Sequence, residues 1–344
     1  MGSNMTIHAS APVSILDLGN WTDTPFAEHG AVLNIAVDYP VQVTVRSRKR
    51  PGVMVRTQVT QRALESGGGE RSCPLEYDLL RAAARYFSVD GIEADLCYSL
   101  PPECGVSAHA SAMVVLTAAV AAFAGKNYTP MQISGIAHRL HSEALGQPLG
   151  VHGHMAATMG GIALYRTTPH PRVFATPLTL TTELQRELER RLALVLTGRT
   201  PRGDFLVRLA SACQPGDRQA LKLLWRLRSI PAQAFESLTG GDFHRLTAIV
   251  AEGAILQERL CPSFRTPESW FLSLTASRQQ GVTKTNCEGG SVTVLAPPEQ
   301  IIVLTTLIRE AGYTVLPIVM SPAGLRVWCD QTAQQPIPSC CQAA

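Results

Sequence analysis

Residues 11–37 read APVSILDLGNWTDTPFAEHGAVLNIAV. From residue 9 to residue 48 Val and Ile alternate with polar residues, and Gly19 to Gly30 forms a turn-like break. Period-two alternation around such a break predicts strands flanking a polar loop. Inside that loop, Asp23 is suited to accept hydrogen bonds from two neighbouring hydroxyls, and Trp21 offers an apolar face to a small ring. The plainer alternative makes Asp23 a turn residue and Trp21 a core aromatic.

Working outward, residues 53–59 continue as a strand, and the three glycines within residues 61–72 mark a loop. Helical periodicity follows at 75–87 and alternation at 92–100, where Pro101-Pro102 ends the strand ahead of a strongly apolar helix at 110–124. A strand, a small-residue loop and a helix start in that order place backbone N–H groups where an anion can bind. Two further helices are predicted at 130–145 and 152–159, with Gly160-Gly161 stopping the second before extended structure at 162–165. Residues 167–182 are rich in Thr and Pro and are expected to hold the junction between two domains, 5–170 and 183–332. A length of 344 residues independently suggests two cores of roughly 150 residues each. In the second half, strands at 192–196, 282–286, 292–296, 313–319 and 325–328, with helices between 204 and 280 and at 298–311, follow a split βαβ, ferredoxin-like order. The tail beyond Thr332 is expected to fray.

Composition narrows the function classes. Apolar residues at 45% and charged ones at 17% describe a globular chain. A formal charge of +3, without a long block of one sign, gives no field suited to nucleic acid. The basic run Arg46, Arg48, Lys49, Arg50 reads as a solvated hairpin tip. Nine cysteines without paired CxxC spacing, and an N-terminus without a charged-then-apolar leader, point to a reducing cytoplasm rather than a disulfide framework. No apolar run reaches the roughly 18 residues of a membrane span, so neither a membrane nor a nucleic acid is expected as partner. The opening Met-Gly-Ser-Asn is set aside as resembling an expression remnant, a Gly2 lipidation signal being the alternative.

Five segments, taken in order, resemble the GHMP small-molecule kinases, particularly the fucose and heptose-7-phosphate kinases. Residues 11–37 resemble their aromatic-Thr/Ser-Asp-Thr-Pro loop and the strand that returns from it; the resemblance implies that Trp21, Asp23 and Thr24 contact a sugar-like substrate. Residues 100–112, LPPECGVSAHASA, stand where the family carries its phosphate loop, Gly-Leu-Gly-Ser-Ser-Ala. The resemblance places Gly105, Ser107 and Ala108 against ATP phosphates, but Ser107 replaces the second glycine, and Ala108 and His109 replace paired hydroxyls, one of which helps hold Mg2+ in the family. A side chain at Ser107 is expected to hinder a positive φ and close backbone approach.

Glu143 with residues 150–161, GVHGHMAATMGG, resembles the stretch that supplies a magnesium-binding glutamate and an aspartate base seven residues before the double glycine. That position is Gly153, flanked by His152 and His154. Residues 194–202, LVLTGRTPR, resemble the heptose-kinase strand that ends in Thr-Gly, so Thr197, Arg199 and Arg202 are candidates to face an anionic group. Residues 284–295, KTNCEGGSVTVL, stand at the family's last glycine-rich loop, where only Gly289 and Gly290 remain.

The resemblance therefore implies an α+β, two-domain GHMP kinase fold, with an N-terminal domain like ribosomal protein S5 and a C-terminal ferredoxin-like domain. It further implies ATP-dependent phosphorylation of a hydroxyl on a sugar, sugar phosphate or related small polar molecule, with ATP and Mg2+ as cofactors. Homoserine kinases of the family work without the aspartate, and His152 or His154 are candidate replacement bases because imidazole titrates near neutrality. Two alternatives stay open. His109, His152 and His154, with Glu143, form a candidate ligand set for zinc or iron in a non-kinase enzyme without nucleotide; or the chain is a catalytically silent binder. His138 and His141 are expected on a helix surface. Cys104 and Cys287 are either reactive thiols or buried inert ones.

Overall fold

A computed structural model describes residues 5–59, 74–198, 205–213, 217–287 and 289–330. The loop at 61–72, the candidates Arg199 and Arg202, and the tail beyond Thr332 lie outside the described residues.

The first strand, β1 (Thr6–Leu18), pairs antiparallel with the long β2 (Gly30–Ser47). The upper half of β2 pairs with β5 (Ile162–Thr167) and its lower half with β4 (Ile92–Tyr98), which carries β3 (Val53–Val59) in parallel at its other edge. Residues 10–18 of β1 are buried without interruption, unlike a strand with one wet face. Helices cover both sides: α2 (Ala108–Phe123) and α4 (His152–Met159) pack on β1 and β2 from one side, and α8 (Ile230–Thr239) reaches them from the other. α2 is apolar all round, as expected for a helix enclosed by α1 (Pro74–Tyr86), α3 (Pro130–Leu145), α4 and the sheet. Thr129 caps α3 through a reciprocal pair of hydrogen bonds with Gln132, and its αL residue at Gly146 ends it.

Two strands fall outside the sequence expectation. The Thr- and Pro-rich segment contains β6 (Val173–Leu178), paired with β5, so the first sheet runs on to Leu178. β11 (Arg326–Asp330) does not join the second sheet; it returns to β1 as the outer strand of the first. The second sheet is antiparallel in the order β10-β7-β9-β8, with β7 (Leu192–Leu196), β8 (Val282–Thr285), β9 (Ser291–Leu295) and β10 (Thr314–Pro317). In chain order this is 4-1-3-2, the ferredoxin-like arrangement expected from the element pattern. Helices α9 (Phe243–Leu260), α10 (Pro267–Arg278) and α11 (Pro298–Glu310) pack around it. Between β10 and β11 the chain is stitched to the first sheet by Asp38 N–H to Val319 O, Ser321 N–H to Ala36 O and Gly161 N–H to Ser321 O.

That return path needs Gly324, where a Cβ would lie 2.1 Å from the carbonyl oxygen of Thr158. Gly324→Ala is therefore expected to lift the strap carrying β11 and to cost about 1–3 kcal/mol, read as a lowered midpoint in urea unfolding. Gly52→Ala meets nothing within 4 Å but sits at φ +83°, and it serves as the conformational control.

Candidate functional site

Near the end of β1 and in the loop that follows it, the chain takes positive φ at Leu16, Gly19 and Trp21. Thr22 ties this loop together: its hydroxyl donates toward the carbonyls of Gly19 and Ala31 and accepts from the Ala31 N–H. Thr24 donates to Trp21 O at 2.7 Å. So fixed, the loop aims Asp23 at the start of α4. There Asp23 Oδ2 accepts from the His152 backbone N–H and from His152 Nδ1, each at 2.9 Å. Gly150 makes the approach possible, since a Cβ on it would lie 2.6 Å from both carboxylate oxygens. Burial pushes the Asp23 carboxyl up, but the adjacent His152 outweighs it and brings the group down to about 2. Burial likewise opposes the charge on His152, yet Asp23 and then Asp17 hold its pKa well above the ordinary value.

His152 Nε2 faces Asp17 Oδ1 at 3.9 Å and the Cys287 thiol, whose side chain also helps to hold the ring charged. Asp17, fully buried on β1, accepts from Ser14 Oγ at 3.3 Å and from Asn34 Nδ2 at 3.2 Å through the same oxygen. Lys284 on β8 is buried beside it and donates to Thr285 O at 3.0 Å and Asn20 Oδ1 at 3.4 Å. Burial pushes its ammonium down to about 8 against the pull of Asp17. Asp17 and Lys284 were missed in the sequence. Their signal was a charged residue inside an apolar run: Ile-Leu-Asp-Leu at 15–18, and Lys284 beneath the last glycine loop.

Across the cleft, the segment expected to be a phosphate loop turns through two left-handed residues. Gly105 has φ 75° and Ser107 φ 60°, both left-handed, so the expectation that Ser107 excludes positive φ is corrected. For a non-glycine residue that conformation costs about 1–2 kcal/mol, and packing holds it there. A Cβ on Gly153 would meet Ser107 Oγ at 2.9 Å and Ser107 Cβ at 3.0 Å. The serine thus occupies the space that an aspartate at Gly153 needs. The last glycine loop closes on the first, backbone to backbone: a Cβ on Gly105 would lie 2.0 Å from Gly289 O, and one on Gly290 2.3 Å from Glu103 O.

These elements enclose a cavity of about 290 Å3. Among the candidates, Trp21, Thr24, His109, His152 and His154 line it, as do Gly105, Ser107 and Ala108 of the loop; so does Cys287. Other candidates lie elsewhere. Asp23 sits behind Gly150 and His152 and does not line the cavity. Trp21 lines it as a buried ring packed on Phe205 and Phe264, with centroids 5.3 and 5.0 Å away. Gly289, Gly290 and Thr197 stand behind the loop, where Thr197 N–H donates to Gly290 O. Glu143 is exposed on α3 and is not brought to His109, His152 or His154, so the four-residue ligand set does not assemble.

His138 and His141 are buried, against the surface placement expected for them. His170, His138, His154 and His141 form a chain of rings with successive centroids 5.2 Å apart, and His141 Nδ1 lies 3.0 Å from His154 Nε2. Burial first, and the neighbouring imidazoles second, push His141 down to about 3 and His154 well below its ordinary range. These rings are neutral in the fold, in contrast to the charged His152, which shares helix α4 with His154.

No protein-family model matches the chain, and no curated protein sequence does. Solved structures do. A D-glycero-D-manno-heptose 1-phosphate kinase from Bacteroides thetaiotaomicron superposes with a TM-score of 0.72 at 15% identity, over 94% of this chain and 98% of that one. The L. major mevalonate kinase, in complex with R-mevalonate, gives 0.68 at 16% identity, over 94% and 97%. Mevalonate diphosphate decarboxylase from Staphylococcus aureus gives 0.67 at 13% identity, over 95% and 98%.

Two outcomes are expected of this geometry. Gly153→Asp alone forces its side chain against Ser107 and destabilises by about 1–3 kcal/mol; adding Ser107→Gly recovers most of that loss, which a double-mutant cycle in urea measures. Because His141 takes up its proton near 6.5 when unfolded and only near 3 when folded, its contribution to stability is complete above pH 6.5 and is lost as pH falls from there toward 3. The melting temperature is expected to drop between pH 7 and 4.5, and more shallowly in His141→Gln.

Proposed function

We propose, starting from the two-domain fold of the GHMP kinases that this chain has, that it is a small-molecule phosphotransferase whose cleft holds a phosphate at the start of α2. The acceptor is a hydroxyl of a sugar or similar small polar molecule lying toward His152.

One observation carries this. The 16-residue α2 begins without any side-chain cap, and its first residues, Ala108, His109 and Ala110, line the same cavity as His152. Uncapped N–H groups at a helix start attract an anion through both hydrogen bonding and the helix dipole. A nucleotide phosphate fits that position. A magnesium ion held as in the resembling kinases does not: Glu143 is exposed and away from the cleft, and His109 stands where a hydroxyl would be. No step is therefore assigned to a protein-held magnesium.

The chain's own residues suit charge neutralisation, which phosphoryl transfer needs more than covalent help. His152, held charged and oriented by Asp23, presents a positive group to the cleft wall. Trp21, Leu149 and Leu206 supply apolar walls that exclude water around it. Asp23 acts on the substrate side as a positioning residue, through His152.

The test is a thermal-shift titration with inorganic phosphate, ADP and Mg-ATP, on wild type and on Ala108→Asp, which sets a carboxylate at the anion position. Saturation near 100 times Kd corresponds to about 2.7 kcal/mol of stabilisation. Phosphate and nucleotide are expected to raise the melting temperature of wild type and not of Ala108→Asp. A wild type that responds to none of the three ligands overturns the proposal.

A further inference from the structure

Asp17, His152 and Cys287 come from three separate parts of the chain: β1, the first turn of α4 and the loop between β8 and β9. One donor atom from each lies within 4.8 Å of the other two. From this triangle we infer a transition-metal site, for zinc or a similar ion, built by Asp17, His152 and Cys287 with a fourth position open to the cleft.

The donors are those such an ion takes. Imidazole, thiolate and carboxylate together suit zinc and its neighbours, whereas magnesium prefers oxygen alone. Tetrahedral zinc, with bonds of 2.0–2.3 Å, sets its donors about 3.5 Å apart, so side-chain rotation of about 1 Å closes the triangle around an ion. One buried donor atom, Asp17 Oδ2, already lacks a hydrogen-bond partner. Buried polar atoms are rarely left so, and each such case calls for an explanation.

The surroundings are those of a metal ligand set. His152 presents Nε2 to the triangle while Nδ1 is held by Asp23 at 2.9 Å. A carboxylate on the far nitrogen fixes the tautomer and ring plane of a metal-bound histidine. Asn34 and Ser14 hold Asp17 in the same way. The charges also balance: the ion displaces the proton from His152 Nε2 and the thiol proton of Cys287, and the divalent charge is neutralised by the Asp17 carboxylate and the Cys287 thiolate. Both His152 and Cys287 line the cavity, so an open position on the ion faces a bound molecule. With three protein ligands and one open position, such a site polarises a substrate oxygen or lowers the pKa of a bound hydroxyl. It thereby supplies the activation that Gly153 lacks. The metal site does not depend on the phosphate site and stands or falls separately from it.

Chelator-treated full-length protein titrated with Co2+, in phosphate-free buffer, is the test. One ion per chain is expected, with tetrahedral d–d bands and a thiolate-to-cobalt charge-transfer band. The charge-transfer band disappears in Cys287→Ser and persists in Cys97→Ser, which removes another thiol far from the cleft. Asp23→Asn weakens binding roughly 10–100-fold, as loss of an orienting carboxylate does. A second readout needs no variant: Zn2+ slows alkylation of Cys287 by iodoacetamide, mapped by peptide mass spectrometry, without slowing that of Cys97. Absence of the thiolate band in wild type, its survival in Cys287→Ser, or alkylation of Cys287 at the same rate with and without Zn2+ overturns the inference. A phosphate-induced thermal shift in the chelator-treated protein keeps its meaning under any of these results.

Discussion

The contact between Asp23 and His152 governs the arrangement of the cleft. A single carboxylate oxygen accepts both the backbone N–H and the ring N–H of one residue, which fixes the loop between β1 and β2 to the first turn of α4. Neither group is stable there alone. A buried carboxylate or imidazolium without its partner would give up its charge, because desolvation of a lone ion costs several kcal/mol. Together they hold the loop and the helix in one relative position, and Trp21, Thr24, His152, Gly153 and His154 from those two elements line one side of the cavity.

Close backbone approach does the rest. Gly150 admits the Asp23 carboxylate, Gly105 admits Gly289, Gly290 admits Glu103, and Gly324 admits the end of α4. Each contact joins segments distant in sequence, and together they lock the two sheets around the cleft. Ser107 and Gly153 show the same economy in reverse. A side chain stands on one wall and none on the facing wall, so Ser107 and Gly153 form one packing solution. That packing holds Ser107 in its left-handed turn.

Much of the fold was legible because long elements announce their period. Strand β3 and helices α3 and α4 have the bounds the pattern gives them, and the second sheet follows from its element order. Strands β6 and β11 were misread because pairing partners are not encoded locally: Val173–Leu178 and Arg326–Asp330 carry strand-like residues, but the sheet each joins is set by the path of the chain. The site was legible where a motif marked it, at residues 19–30, 105–109 and 152–154. It was illegible at Asp17 and Lys284, which look like interruptions of apolar strands until folding buries them beside each other. His138 and His141 misled for the opposite reason: spacing of three on a helix fits a wet face and a buried one equally, and only the packing of α3 against α4 decides.

What remains is why a core so apolar should contain Asp17, Asp23, His152 and Lys284 at all. Stability does not require them. Replacing a buried ion pair by well-packed apolar residues is often neutral or stabilising by 1–4 kcal/mol, and the surrounding strands would accept such residues. The four charged groups nevertheless converge from β1, the following loop, α4 and β8, with one imidazole held charged while those around it are held neutral. Environments that drive like groups to opposite protonation states are what acid–base and metal chemistry use. Position 153, where the family resemblance implies an aspartate, is a glycine whose space Ser107 fills, and the charged groups of this cleft gather at His152 instead.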